Sequence, residues 1–431
     1  MAVRLLLGRC GLIKTSNAEA LNDIIDEDEP TSKPAKVSRA ASLTSQLSCI
    51  TPSKKYQPDE TDQIVTSLEK TVPDLLECIS SPLPSAKEKT YKQCKAKKTE
   101  SLQKLHDLTK KGKDHNRIPL VSSTKWDIVR VLSTALLEIQ DEIATTDKPE
   151  MNQARRMICW TLNNLSIPYE NKAIMVQGDS SSLLFEALGN VIRRNLPSSY
   201  LCIICFFNLT FSAEAIEPIA WYVLPTITET GASTKISIET GHISEKGQRL
   251  LENPASLLRS LERLMLTNAP FLLSSVTSVQ GEAIRWAVGL IRNITFANQN
   301  IGGTSATQTD DSLSGSTGRQ GDVDNSIIQD ICTLISQTEI PRLIVSFVRD
   351  SPNPAVKWTK DSLEDMCLGV LCQLVQWSSS REALQRAGAT LSLEQIEGQV
   401  CCQGFMATEP EPLDVAWERC LYSMVIECLN W

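Results

Sequence analysis

The chain has 431 residues, 42% of them apolar and only 5% aromatic, with 43 Lys and Arg against 51 Asp and Glu for a net charge of −8. This length fits two or three ordinary domains or one long repeat array, and the mild acidity argues against broad nucleic-acid affinity. No apolar run reaches the roughly 18–20 residues of a membrane helix, so no membrane span is expected.

In chain order, Met1 to Ile13 carries a short apolar run with two arginines. It is too brief for a secretory signal, and the acids after it oppose a transit peptide, so a loose tail or short helix is expected. Residues 1–120 read as a mostly disordered tail, rich in Ser, Thr, Pro and Lys. One short helix is predicted near 63–79, where Ile64, Val65, Leu68, Val72, Leu75, Leu76 and Ile79 recur around Pro73. Arg39-Ala-Ala-Ser42 fits a basic-directed kinase site. Lys87 to Arg117 holds eleven Lys or Arg against four acids. It reads as a solvated linker or, alternatively, as a patch for nucleic acid or a membrane surface; only Tyr91 is available to stack on bases.

From 121 to 431 the period is helical. Trp126, Val129, Leu132, Leu136 and Ile139 give a first helix. The stretch Met151–Gly178 gives two more: Met157, Trp160, Thr161 and Leu165 share one face, Pro168 breaks the pattern, and Gly178 is placed for a left-handed cap. Worn copies follow. Asn164-Leu165-Ser166 is repeated as Asn208-Leu209-Thr210 and Asn293-Ile294-Thr295, with Gln373 in the Asn place of a weaker fourth copy. The intervals of 44, 85 and 80 residues are near one or two units of about forty, the range of helical repeats. Segments near 226–247 and 302–325, poor in apolar residues, read as insertions. Ile327–Ile335, Ile340–Val348, Leu363–Trp377, Ala383–Ile396 and Val415–Leu429 continue the helices.

The helix, the Asn-Leu-Ser turn and the following Asn171-Lys172 with Ile174 and Gly178 resemble the armadillo repeat of beta-catenin and importin-alpha, over about seven-tenths of the chain. The resemblance implies an all-α, right-handed superhelical solenoid that binds an extended protein segment in a concave groove, as a non-enzymatic scaffold or adaptor. Carried over by position, Trp160, Asn164, Asn208 and Asn293 would line that groove. Ile204 and Gly289 stand where further tryptophans would be, which argues against an importin-type array of lysine pockets; transport of basic peptides is therefore the alternative. Core packing for Trp160, and bonding of the turns between helices for the asparagines, are the competing readings. Arg155, Arg156 and Lys172 would form a charged rim, with Arg193 and Arg194 adding charge nearby.

No catalytic constellation is found: His106, His115 and His242 fall in predicted loops or tail, and there is no phosphate-cradling or dinucleotide motif. No metal or cofactor site and no small-molecule substrate are expected. The fourteen cysteines mostly fall in apolar helical runs, which predicts buried free thiols and a reducing compartment, cytoplasm or nucleus. The three Asn-x-Ser/Thr sequons read as repeat signature rather than sugar acceptors.

Overall fold

The computed structural model describes residues 58–84, 90–110, 113–123, 125–143, 149–223, 256–272, 279–295, 325–349 and 363–389. These are 83% helical and form no strand. The helices are α1 (Pro58–Ser80), α2 (Tyr91–Thr109), α3 (Asp114–Ser122), α4 (Ile128–Ile143), α5 (Pro149–Leu165), α6 (Tyr169–Gln177), α7 (Ser181–Arg193) and α8 (Ser199–Leu209). They continue as α9 (Ala213–Ala220), α10 (Leu257–Leu272), α11 (Val279–Thr295), α12 (Asn325–Ser336), α13 (Ile340–Arg349), α14 (Leu363–Leu374) and α15 (Ser378–Arg386).

Local chemistry sets many of the boundaries. α5 opens on Pro149, where a missing amide does no harm. Pro168 stands just ahead of α6 and separates it from α5. α7 ends where Asn195 turns left-handed at φ 47° and the Leu196 amide reaches back to the Val191 carbonyl. Asparagine tolerates this conformation better than residues with bulkier side chains do. At α13 the buried Glu262 carboxylate accepts the Glu339 amide at 2.6 Å and the Arg259 guanidinium at 2.7 Å, placing negative charge at the helix start.

The contacts fall into three series. Leading helices pack in the order α1, α4, α7, α10, α13, and ladder helices in the order α2, α5, α8, α11, α14. Each leading helix also lies against the ladder helix that follows it. Short helices bridge the units, α3 on α6, α6 on α9 and α12 on α15. One apolar cluster runs through all of them, from Leu68 and Val72 to Leu384. The driving force is ordinary burial, about 1.5–3 kcal/mol for each large aliphatic side chain removed from water. Neighbouring units also lock through polar pairs, such as the reciprocal Asn195–Asn268 amides at 3.1 Å.

Three expectations are corrected. Residues 58–120, read as mostly disordered tail with one short helix near 63–79, carry that helix and two more, the last running to Ser122. α1 runs through Pro73 because Leu68, Val72, Leu76 and Ile79 are all buried behind it, and α2 buries Leu102, Leu105, His106 and Thr109. His106 and His115 therefore lie on helices, while His242 is outside the described residues. Gly178 is extended, at φ −68° and ψ 161°. It is glycine because a Cβ there would meet the Ile174 carbonyl oxygen at 2.5 Å. The expected insertions and the helix Val415–Leu429 fall outside the described residues, save Asn325 at the start of α12.

Among the described residues no single helix is long and apolar enough to cross a membrane. The pair α12 and α13 passes that test only jointly, across a 74° bend.

Candidate partner-binding face

The ladder helices carry the repeated asparagines, and the structure places all of them between helices. Asn164, Asn208 and Asn293 are 5%, 3% and 3% exposed. The Asn208 amide donates to Asn163 Oδ1 at 2.9 Å and to Ser166 Oγ at 3.4 Å. Asn293 donates to Thr210 Oγ1 at 3.2 Å and Asn164 to Thr109 Oγ1 at 3.4 Å. Each amide thus reaches the hydroxyl that closes the preceding ladder helix. Amides buried this way do not reach a partner's backbone, which corrects their expected groove role and supports the turn-bonding alternative. Asn208→Ala is expected to lower stability by about 1–3 kcal/mol, read as a shift of the urea midpoint by circular dichroism. An unchanged midpoint would show that the ladder bond contributes nothing.

A second set of polar residues closes the α5–α6 corner, between a ladder helix and the next short helix. Asn171 Nδ2 donates to the Leu165 carbonyl at 2.8 Å and to the Arg117 carbonyl at 2.9 Å. Lys172 Nζ donates to the carbonyls of Ser166 at 2.6 Å and Ile167 at 2.8 Å, and lies 5.9 Å above the Phe211 ring. Helix-end carbonyls need such donors. The same bracket appears one unit earlier: Asn116 Nδ2 donates to the Leu108 carbonyl and Arg117 Nε to the Thr109 carbonyl, at 2.9 and 2.8 Å. Asp107-Leu108-Thr109 with Asn116-Arg117 is therefore a further copy of Asn164-Leu165-Ser166 with Asn171-Lys172. It was legible in the sequence once Asp is allowed for Asn and Arg for Lys.

The expected charged rim contracts to one residue. Lys172 is 5% exposed and Arg155 is 1% exposed, with its guanidinium donating to Asn152 Oδ1 at 2.8 Å. Burial pushes Lys172 down to about 7, against the opposing pull of Cys205 and Glu170. Arg156 alone is exposed.

Trp160 is partly exposed and sits in a small composite site. His106 of α2 lies 5.5 Å from it, ring to ring, and the Arg156 guanidinium stacks over the indole at 4.9 Å. Burial pushes the hydroxyl of Tyr200, on α8, up, against the pull of the nearby Arg156 charge. A guanidinium laid on an indole keeps its in-plane N–H groups available for a carboxylate. Further along the ladder the equivalent places are filled from within. At Gly289 a Cβ would meet Met366 Sδ at 3.2 Å and the Phe207 ring at 3.4 Å, and at Gly369 it would meet Arg292 Nε at 2.5 Å. On α8 the equivalent place is held by Ile204, which is buried.

No family model matches the chain, and no curated protein matches it.

The basic stretch that suggested a polyanion patch is answered in part by acids of the fold. Lys104 pairs with Glu100 at 2.7 Å, Lys110 with Asp107 at 2.9 Å and Lys98 with Glu138 at 3.3 Å, while Arg117 is buried. Among the described residues no three His, Cys, Asp or Glu side chains are placed to hold a metal ion. Cys159, Cys202, Cys205, Cys332, Cys367 and Cys372 are buried. Burial pushes Cys205 and Cys332 up to about 12, which keeps them poor nucleophiles.

Proposed function

We propose that this chain is an armadillo-like, right-handed helical solenoid that works as a non-enzymatic protein-binding scaffold or adaptor. Its binding face lies on the ladder helices α2, α5 and α8. The observation that carries this reading is the Arg156–Trp160–Tyr200 site: on α5 an exposed cation lies over a partly exposed indole, beside Tyr200 of the next ladder helix. The series of leading, ladder and short helices in register supports the solenoid reading. The exposed guanidinium favours acidic partner segments over the basic peptides of a transport receptor. The buried thiols fit the cytoplasm or nucleus.

The test is fluorescence anisotropy with the full chain and labelled twelve-residue peptides, one Glu-rich and one Lys-rich, each containing a single aromatic residue. The acidic peptide should bind more tightly, and Arg156→Glu should weaken it about tenfold or more, the range for reversing a charge at a close ion pair. Equal affinity for both peptides, or no effect of Arg156→Glu in a normally folded variant, would count against the site.

A further inference from the structure

The surface at Trp160 continues onto the next ladder helix. Cys202 Sγ lies 3.5 Å from Cys159 Sγ and the Asn208 amide bonds Asn163 Oδ1 at 2.9 Å, so α8 runs parallel to α5 at an offset of 43 to 45 residues. That register sets Ile204 level with Trp160. Tyr200 and Phe207, one turn to either side of Ile204, are partly exposed. Arg156 is exposed, with its guanidinium 4.9 Å over the Trp160 ring. The face thus offers a cation on α5 and apolar ring surface on α8, one helix-to-helix step of about 8–10 Å away. An extended chain advances about 3.3 Å per residue, so the step equals about three residues. The ligand that fits is an extended segment with apolar side chains and, three residues further on, acids.

The chain carries such a segment itself. Asp26-Glu27-Asp28-Glu29 is the only place in the sequence where more than two acids follow one another, and Ile24-Ile25 stand directly before it. Three residues on from Ile24 and Ile25 are Glu27 and Asp28. From Thr15 to Ser32 there are six acids and no Lys, Arg or His. An acidic run alone reads as a solvated segment; its spacing to the isoleucines is what this surface matches. The run lies outside the described residues, and 28 residues separate Glu29 from Pro58 at the start of α1. Fully extended, they reach about 90–100 Å. α1 is about 34 Å long, it packs on α2, and α2 packs on α5, so the tether is long enough.

We infer that the Trp160 face binds the segment Ile24–Glu29 of its own chain, with the isoleucines against Tyr200 and Phe207 and the acids at Arg156. A partner's acidic segment must then displace it. This inference rests on the acid-binding reading of the same site. Forked guanidinium donors suit carboxylates, and a tethered segment competes at a fixed effective concentration that dilution does not lower.

The experiment is fluorescence anisotropy with the labelled Glu-rich twelve-residue peptide at about 0.15 M salt. It compares the full chain with a full-length variant carrying Asp26→Asn, Glu27→Gln, Asp28→Asn and Glu29→Gln, each with and without Arg156→Glu. Circular dichroism checks that all four are folded alike. The neutralised variant should bind the peptide about tenfold more tightly, the factor for a site left free about one-tenth of the time. With Arg156→Glu the two proteins should bind it equally and weakly. Equal affinity of the wild type and the neutralised variant overturns the inference while leaving the acid-binding site intact. Absence of binding to either protein overturns that site and the inference together. A difference that persists with Arg156→Glu is general charge repulsion, and a block that grows with protein concentration puts the segment of a second copy on the site; either result overturns the assignment.

Discussion

Replacing Asn171 by leucine is expected to lower stability by about 2–4 kcal/mol, because two buried carbonyls lose their donor together. The side chain has no exposed surface and joins three helices: it sits on α6, caps the end of α5 through Leu165, and holds α3 through Arg117. Leucine has nearly the same volume, so the effect reports hydrogen bonding rather than a cavity. Its own Oδ1 has no hydrogen-bond partner, so removing that oxygen returns a small part of the loss. The packing joins each unit mainly to its neighbours, so the loss should fall on the contact between units rather than spread evenly. Urea unfolding followed by circular dichroism should show a lower first midpoint and a broader transition. A variant unfolding like the wild type would mean that water satisfies these carbonyls.

The second large effect is on pH dependence. The Lys172 amine is buried against two carbonyls and titrates at about 7 in the folded chain, against an ordinary value of 10.5. Between those values the unfolded chain holds a proton that the folded chain has released. Stability should therefore rise with pH across this window, and the full penalty for burying the charge is present below about 7. The limiting slope for one proton is about 1.4 kcal/mol per pH unit. A neutral amine still has two N–H groups, enough for the carbonyls of Ser166 and Ile167. At higher pH the buried thiols act in the opposite sense: Cys205 and Cys332 move from 9.0 to about 12, so the unfolded chain loses those protons first and stability falls. The clean interval is thus from about pH 7.5 to 8.5. Over it the wild type should gain about 1 kcal/mol relative to Lys172→Met. Parallel pH profiles for the two proteins would show that Lys172 is charged or solvated in the fold.

How much of this was legible in the sequence differs by residue. The helix around Met157, Thr161 and Leu165 could be read because a wide apolar stripe repeats at helical spacing, and the same holds for α8 and α11. α2 hid because its stripe is narrow: the leucines 102, 105 and 108 sit in a run of lysines whose acids lie partly elsewhere, on α4. The brackets at Asn116 and Arg117 hid because Asp107 and Arg117 replace the more familiar Asn and Lys. The asparagines were found with two competing uses, and the choice between them was not legible, since a residue on the shared face of a ladder helix can point at a partner or at the next helix. Sequence spacing does not separate those outcomes. Trp160 was found for its spacing from Asn164, yet the neighbours that make it a site, His106 and Tyr200, lie on other helices and left no signal in its own segment.

The ladder of asparagine amides also bears on how the chain tolerates length. From Asn208 back to its acceptors on the preceding unit the chain runs 42 to 45 residues, but from Asn293 back to Thr210 it runs 83. The entropy of closing a loop grows only with the logarithm of its length, so this near-doubling costs about 0.6 kcal/mol. The joint between α9 and α10 is therefore a place where added chain is almost neutral for stability. New segments could accumulate there without disturbing the register of the helices on either side.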